Sequence, residues 1–140
     1  MTKPNQANLN ILIVEDDFMV RQVLRDILEE YGASDIAVNG EEALQAFRVA
    51  WRKKKPYDLI CMDIMMPVMD GNEALTKIRE VEKAMGIHGP NEVKVIMITA
   101  LDDARTVVRA YNKGGATSYI VKPIEKERLI NEMREIGLIS

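Results

Sequence analysis

The stretch Tyr57-Asp58-Leu59-Ile60-Cys61-Met62-Asp63-Ile64-Met65-Met66-Pro67-Val68-Met69-Asp70-Gly71 decides the fold. It opens as a short apolar run, the pattern of a strand buried on both faces. The run from Asp58 to Met62 delivers a carboxylate, Asp63, to its end, and Pro67 with Asp70-Gly71 marks a turn beyond it. A charge at the end of an apolar strand is costly unless something meets it. What meets Asp63 has to come from the rest of the chain.

Upstream, Leu9 to Val14 is apolar and β-branched, a second buried strand, and it ends in the acids Glu15-Asp16-Asp17. Val20, Val23, Leu24, Ile27, Leu28 and Tyr31 then recur at helical spacing, with Gly32 as the stop. Ser34 to Val38 reads as a short strand and Asn39-Gly40 as a turn. From Glu41 a helix places Ala43, Leu44, Phe47 and Trp51 inward and frays into Arg52-Lys53-Lys54-Lys55-Pro56. Downstream, a helix from about Asn72 to Met85 carries Leu75, Ile78 and Met85 on one face, and a Gly/Pro loop leads to a strand from Val93 to Ile98, ending at Thr99-Ala100. Asp102 or Asp103 caps a fourth helix with Val107, Val108 and Tyr111, closed by Gly114-Gly115. Thr117 to Val121 is the last strand, followed by Lys122-Pro123. A final helix from near Glu125 carries Leu129, Ile130, Met133 and Ile136.

Strands alternating with helices imply an α/β fold with a parallel sheet covered on both faces. Right-handed crossovers leave few topologies, and the expected one is a doubly wound (βα)5, flavodoxin-like sheet in the order 2-1-3-4-5. At 140 residues the chain fits one domain, expected over residues 9–140 behind a polar tail at 1–8. With 47% hydrophobic and 29% charged residues the composition is that of an ordinary globular protein. A net charge of −3 argues against a dedicated nucleic-acid surface. The single cysteine, Cys61, excludes an internal disulfide. There is no apolar leader core, and no apolar run approaches the ~20 residues of a membrane span, so the expected location is cytoplasmic with no membrane partner.

In such sheets the site lies beyond the carboxyl ends of the strands. That rule gathers Glu15 and Asp16 after the first strand, Asp63 after the third, Thr99 after the fourth and Lys122 after the fifth. Clustered carboxylates repel one another, and a hard divalent cation, Mg²⁺, resolves that repulsion. With Lys122 as a mobile positive charge and Thr99 as a hydroxyl donor, the edge is suited to hold a phosphoryl group. Phosphoryl transfer needs little beyond positioning and charge neutralisation. Asp63 is central, and so is the expected nucleophile and phosphoacceptor, forming an acyl phosphate.

With these residues in place, the chain resembles the receiver domain of two-component response regulators, close in size to the stand-alone chemotaxis type. The resemblance covers about Leu9 to Ile136. It implies that Glu15, Asp16 and Asp63 bind Mg²⁺ together with the backbone carbonyl of Met65. It further implies that Thr99 and Tyr119 are switch residues, that Pro67 and Gly71 shape the acceptor loop, and that Lys122 precedes a proline often joined by a cis bond. The implied function is a phosphorelay switch: a sensor histidine kinase or phosphotransfer protein phosphorylates Asp63, and the surface of the fourth helix, fifth strand and fifth helix changes its affinity for a downstream protein effector. The implied state is a monomer or a phosphorylation-dependent dimer, a switch rather than an enzyme, with slow self-dephosphorylation because Met65 and Leu101 are apolar. The loop from Gly86 to Glu92 is longer than in the shortest receivers. No DNA-binding motif follows the last helix, so the expected output is another protein if the chain is whole, and a piece of a larger regulator is the alternative.

Other readings of the same residues stand beside these. Asp17 fits a helix start, Asp58 a strand edge, Asp70 a turn, Cys61 a small core residue and His88 a surface residue. Arg52 to Lys55 fits a solvated helix end or an electrostatic docking patch. A flavoprotein on this fold would need a phosphate loop where Glu15-Asp16-Asp17 stands. An aspartyl phosphatase would usually carry a second aspartate at the position of Met65. A phosphorylation-independent interaction module usually lacks the acceptor, an acid or the lysine.

Overall fold

The computed structural model describes residues 8–100 and 115–140. The expected fourth helix with Asp102, Asp103, Val107, Val108 and Tyr111, its closing Gly114, Leu101 and the tail up to Ala7 lie outside the described residues.

The elements in order are β1 (Leu9–Val14), α1 (Phe18–Leu28), β2 (Gly32–Ala37), α2 (Gly40–Arg52), β3 (Leu59–Asp63), α3 (Gly71–Ala84), a 3-10 turn (Gly89–Asn91), β4 (Lys94–Thr99), β5 (Ser118–Val121) and the C-terminal helix α4 (Lys126–Glu135). The five strands are parallel in the order β2-β1-β3-β4-β5, as expected. Alternation within each strand divides the core between the two faces. Leu12, Val14, Ile60, Met62, Val95 and Met97 pack with Phe47, Leu75 and Ile78 of α2 and α3. Ile11, Ile13, Leu59, Cys61, Ile96 and Ile98 pack with Leu24 and Leu28 of α1 and with Leu129 and Met133 of α4. Both faces are covered, so these strands read as continuous apolar runs rather than alternating ones.

The element bounds depart from the sequence reading at instructive places. Gly32 does not stop α1, which ends at Leu28; it opens β2 opposite Leu9, where a Cβ would collide with the Leu9 carbonyl. Tyr31 lies beyond the helix and is nonetheless buried, its carbonyl accepting from Leu9 N–H at 2.8 Å. Val23 and Met85 are not core residues, being 42% and 46% exposed; Met85 is the cap residue that ends α3. Trp51 is only half-buried. Asn39-Gly40 is a helix start: Asn39 Oδ1 accepts from Glu42 N–H at 2.9 Å. β3 and β4 each run one residue further than expected, so Asp63 and Thr99 are the last residues of their strands rather than the first beyond them.

Candidate functional site at the carboxyl edge of the sheet

Glu15 directly follows β1, Asp63 ends β3, Thr99 ends β4 and Lys122 directly follows β5. The lysine is the hub. Its Nζ lies 3.0 Å from Asp63 Oδ2 and 3.2 Å from Glu15 Oε1. The two carboxylates are buried, while Lys122 keeps 29% of its side chain exposed. Strand ends hold this geometry: Lys122 N–H donates to the Thr99 carbonyl at 2.7 Å, and Ile64 N–H to the Ile98 carbonyl at 3.0 Å. The Lys122-Pro123 peptide is cis.

The loop after β3 is drawn in tightly. Met65 N–H donates to Asp63 Oδ1 at 3.1 Å, and Gly71 N–H to the Ile64 carbonyl at 2.8 Å. A Cβ at Gly71 would collide with the Asp63 carbonyl, so only glycine lets α3 begin this close to the strand end. Gly40 N–H ties α2 to the same loop through the Met69 carbonyl at 2.9 Å. Within the loop, Val68 holds φ +69°, a left-handed conformation that a β-branched residue adopts at a cost.

Glu15 carries the electrostatic signature. Its Oε2 accepts from Asp17 N–H at 3.1 Å, but its buried Oε1 accepts no hydrogen bond among the described residues; Lys122 faces it as an ion pair out of alignment. Burial pushes the Glu15 carboxyl up to about 7, with the Asp63 charge adding and the Asp17 N–H and Lys122 opposing. Burial alone would lower the Lys122 ammonium. The hydrogen bond and charge of Asp63, with the Glu15 charge behind them, raise it overall.

Carboxylate oxygens of Glu15, Asp16 and Asp63 all lie within 4.8 Å of one another. Octahedral ligands at ~2.1 Å from Mg²⁺ are at most about 4.2 Å apart, so a small contraction would let these oxygens share one hard cation. The all-oxygen donor set, with one lysine shared by two buried carboxylates, fits such an ion.

The other expected site residues are placed as follows. Asp16 is exposed beside the pair. Thr99 is buried, its hydroxyl donating to the Ala100 carbonyl at 3.3 Å rather than to Asp63. Tyr119 is half-buried against the core on the α2 and α3 face, in register with Met97. The Met65 side chain is 65% exposed. The acids set aside in the sequence have structural roles. Asp17 caps α1 by accepting from Met19 N–H at 2.8 Å, and Asp70 caps α3 by accepting from Glu73 N–H at 2.8 Å. Asp58 accepts from Asn10 N–H at 2.8 Å. His88 is exposed. Cys61 is fully buried, and burial pushes its thiol up to about 12.

One residue beside the site escaped the sequence reading. Arg21 Nη1 donates to the carbonyls of Glu15 and Asp16 at 3.0 and 3.1 Å, holding the backbone of the acidic pair. On the polar side of an amphipathic helix nothing in the sequence distinguishes it from Arg25.

A family model described as response regulator receiver domain matches residues 11–134. The chain is 34% identical over 136 residues to a chemotaxis protein CheY of Treponema pallidum, covering 96% of this chain and 86% of that one. Among solved structures it resembles the co-crystal structure of the Saccharomyces cerevisiae histidine phosphotransfer protein Ypd1 and the receiver domain of its response regulator Ssk1 (TM-score 0.80, 29% identity, 94% of this chain and 90% of that one). It also resembles a CheX–CheY–BeF3–Mg complex from Borrelia burgdorferi (TM-score 0.75, 30% identity, 93% and 90%).

Proposed function

The chain belongs to the response regulator receiver domains, the phosphoacceptor modules of two-component systems, and from that premise we propose that Asp63 is its phosphoacceptor. The observation that carries this reading is the single Lys122 ammonium shared by two buried carboxylates, Asp63 and Glu15, an arrangement short of positive charge. Glu15, Asp16, Asp63 and the Met65 carbonyl would hold Mg²⁺, which supplies charge neutralisation and a fixed point for phosphoryl oxygens.

One Asp63 carboxylate oxygen attacks the phosphorus of a phosphohistidine. The new P–O bond forms as the P–N bond breaks, and the imidazole leaves with the electron pair. Lys122 is placed to follow the phosphoryl oxygens, and Met65 N–H steadies the other carboxylate oxygen. The Thr99 hydroxyl gives up only a long bond to Ala100 when it turns to the phosphoryl group. Tyr119 then takes a new position, and the surface around β5 and the helices flanking it changes affinity for a protein effector or a second copy of the domain, a population shift between two states. Phosphorylation from a kinase or phosphotransfer protein fits an apolar groove of about 510 Å³ beside Lys122, lined by Met19, Val20, Val23, Pro123 and Ile124. Phe18 and Met19, 63% and 69% exposed, extend that surface. The likeness to a receiver crystallised with a phosphotransfer protein supports a partner of that kind, and a cytoplasmic relay fits it.

The test mixes the protein, Mg²⁺ and acetyl phosphate. A mass gain of one phosphoryl group is expected, lost in Asp63→Asn; a gain that survives this change sinks the assignment. Self-dephosphorylation is slow in this reading because the exposed Met65 cannot orient a water. Met65→Asn should speed loss of label from the phosphoprotein, and an unchanged decay would count against that role.

A further inference from the structure

A second surface lies at the opposite edge of the sheet. α2 runs antiparallel to the strands, so its carboxyl end meets the start of β3, separated from Asp63 by roughly 13 Å of strand. Here the outer ends of α2 and α3 flank a groove of about 540 Å³ lined by Arg48, Trp51, Arg52, Val81 and Met85. No acid is among those lining residues. The floor is apolar, and Met85 is 46% exposed although it sits where a core residue was expected. The indole Nε1 of Trp51 is buried and has no acceptor among the described residues. Lys53, Lys54 and Lys55, all exposed, extend the positive charge past the helix end.

Helix-end electrostatics accounts for some of this charge, since cations are favoured at a helix C-terminus. It does not account for an apolar floor between two arginines. We propose that this groove binds an acidic segment of a partner protein, with an apolar side chain of the segment seated on Trp51, Val81 and Met85 and its carboxylates on Arg48 and Arg52. Charge complementarity selects the acidic partner. The short concave groove accepts one side chain with its neighbouring carboxylates rather than an extended nucleic acid or a flat bilayer. Because the groove and Asp63 lie at opposite edges, the segment can stay bound while Asp63 is phosphorylated.

Trp51 is the only tryptophan and reports on the groove directly. The probe is a peptide of about twelve residues rich in Glu and Asp with one central phenylalanine, titrated into the full chain while Trp51 emission is followed. A saturable emission change is expected, weakening as salt is raised. Replacing the peptide's phenylalanine by glycine, or the protein's Arg48→Glu with Arg52→Glu, should each weaken binding about tenfold. Arg48→Gln with Arg52→Gln, a milder change for the fold, should weaken it in the same direction. Both double variants should keep Mg²⁺-dependent phosphoryl uptake. No saturable change, equal binding of the phenylalanine-free peptide, or tighter binding to phosphatidylserine vesicles or a DNA duplex would overturn the proposal.

Discussion

Among the buried carboxylates that meet a cation in the described residues, Glu82 and Glu15 are treated in opposite ways. At the far side of α3, Glu82 is 1% exposed and both its oxygens are engaged, Oε1 with Arg79 Nη1 and Oε2 with Val93 N–H, each at 2.7 Å. Arg79 also donates to the Val93 carbonyl at 2.9 Å and, through Nε and Nη2, to the Gly115 carbonyl at 3.1 and 2.9 Å. This is a closed clamp joining α3, the start of β4 and the approach to β5. Glu15 is as deeply buried but shares its cation with Asp63, and one of its oxygens accepts no hydrogen bond. A satisfied pair resists change, whereas an unsatisfied one is open to a further positive charge. The difference separates scaffold from site more sharply than residue type does.

The comparison breaks most visibly at the clamp. Arg79→Met leaves Glu82 buried without its cation and should lower stability by about 3–5 kcal/mol, read as a drop in urea midpoint at unchanged slope. A loss within the ~1 kcal/mol of an exposed pair would show that the clamp is not structural.

At the site the sign reverses. Glu15→Gln removes a charge that burial disfavours, so at neutral pH and without Mg²⁺ the variant should be more stable than the wild type, by on the order of 1–3 kcal/mol. It should also lose most of its Mg²⁺ affinity. The pH dependence follows from the same shift. Glu15 has a folded value of about 7 against an ordinary 4.5, so between those values the folded state holds a proton that the unfolded state has released. The Glu15 contribution to stability is therefore full below 4.5 and declines as pH rises to about 7. Mg²⁺ binding must expel that proton, so its affinity should rise over the same window. Urea midpoints and Mg²⁺ titrations across it, with Glu15→Gln as the flat reference, check both slopes. The raised Lys122 ammonium has the same sign in a higher window, its stabilisation present at low pH and lost only as pH climbs through its own elevated value.

The smallest effect concerns backbone strain. Val68 at φ +69° lies on the site side, and Lys54 at φ +60° closes α2 on the other. Lys54 is a helix-ending residue, its N–H donating to the Trp51 carbonyl and the Lys55 N–H to the Ala50 carbonyl, each at 3.0 Å. Val68→Gly should raise stability by about 0.5–1 kcal/mol and Lys54→Gly by less, since branching at Cβ makes the left-handed conformation harder to hold. Thermal midpoints of the two variants decide the order.

Much of this architecture was legible in the residues. Apolar runs such as Ile11 to Val14 and Leu59 to Met62 announce strands covered on both faces, and their ends bring Glu15, Asp63, Thr99 and Lys122 to one edge. Periodicity failed where a residue left its helix yet stayed buried, as Tyr31 did, or kept helical spacing yet faced solvent, as Val23 did. Gly32 looked like a stop because close strand packing and helix termination ask for the same residue. The Arg79 clamp was invisible for a different reason. Beyond Glu82 its partners are the backbone carbonyls of Val93 and Gly115, brought near by tertiary packing, and an arginine on a helix carries no mark of them.

Cys61 gives the molecule an internal clock. The thiol is sealed in the middle of β3, two residues before Asp63, and burial keeps it protonated far above neutral pH. A thiol reagent can react with it only in those moments when the central strand parts from its neighbours. The labelling rate thus measures how often the strand carrying the acceptor aspartate comes loose, and any ligand or modification that tightens the carboxyl edge of the sheet will be read as a slower tick at a residue that touches neither.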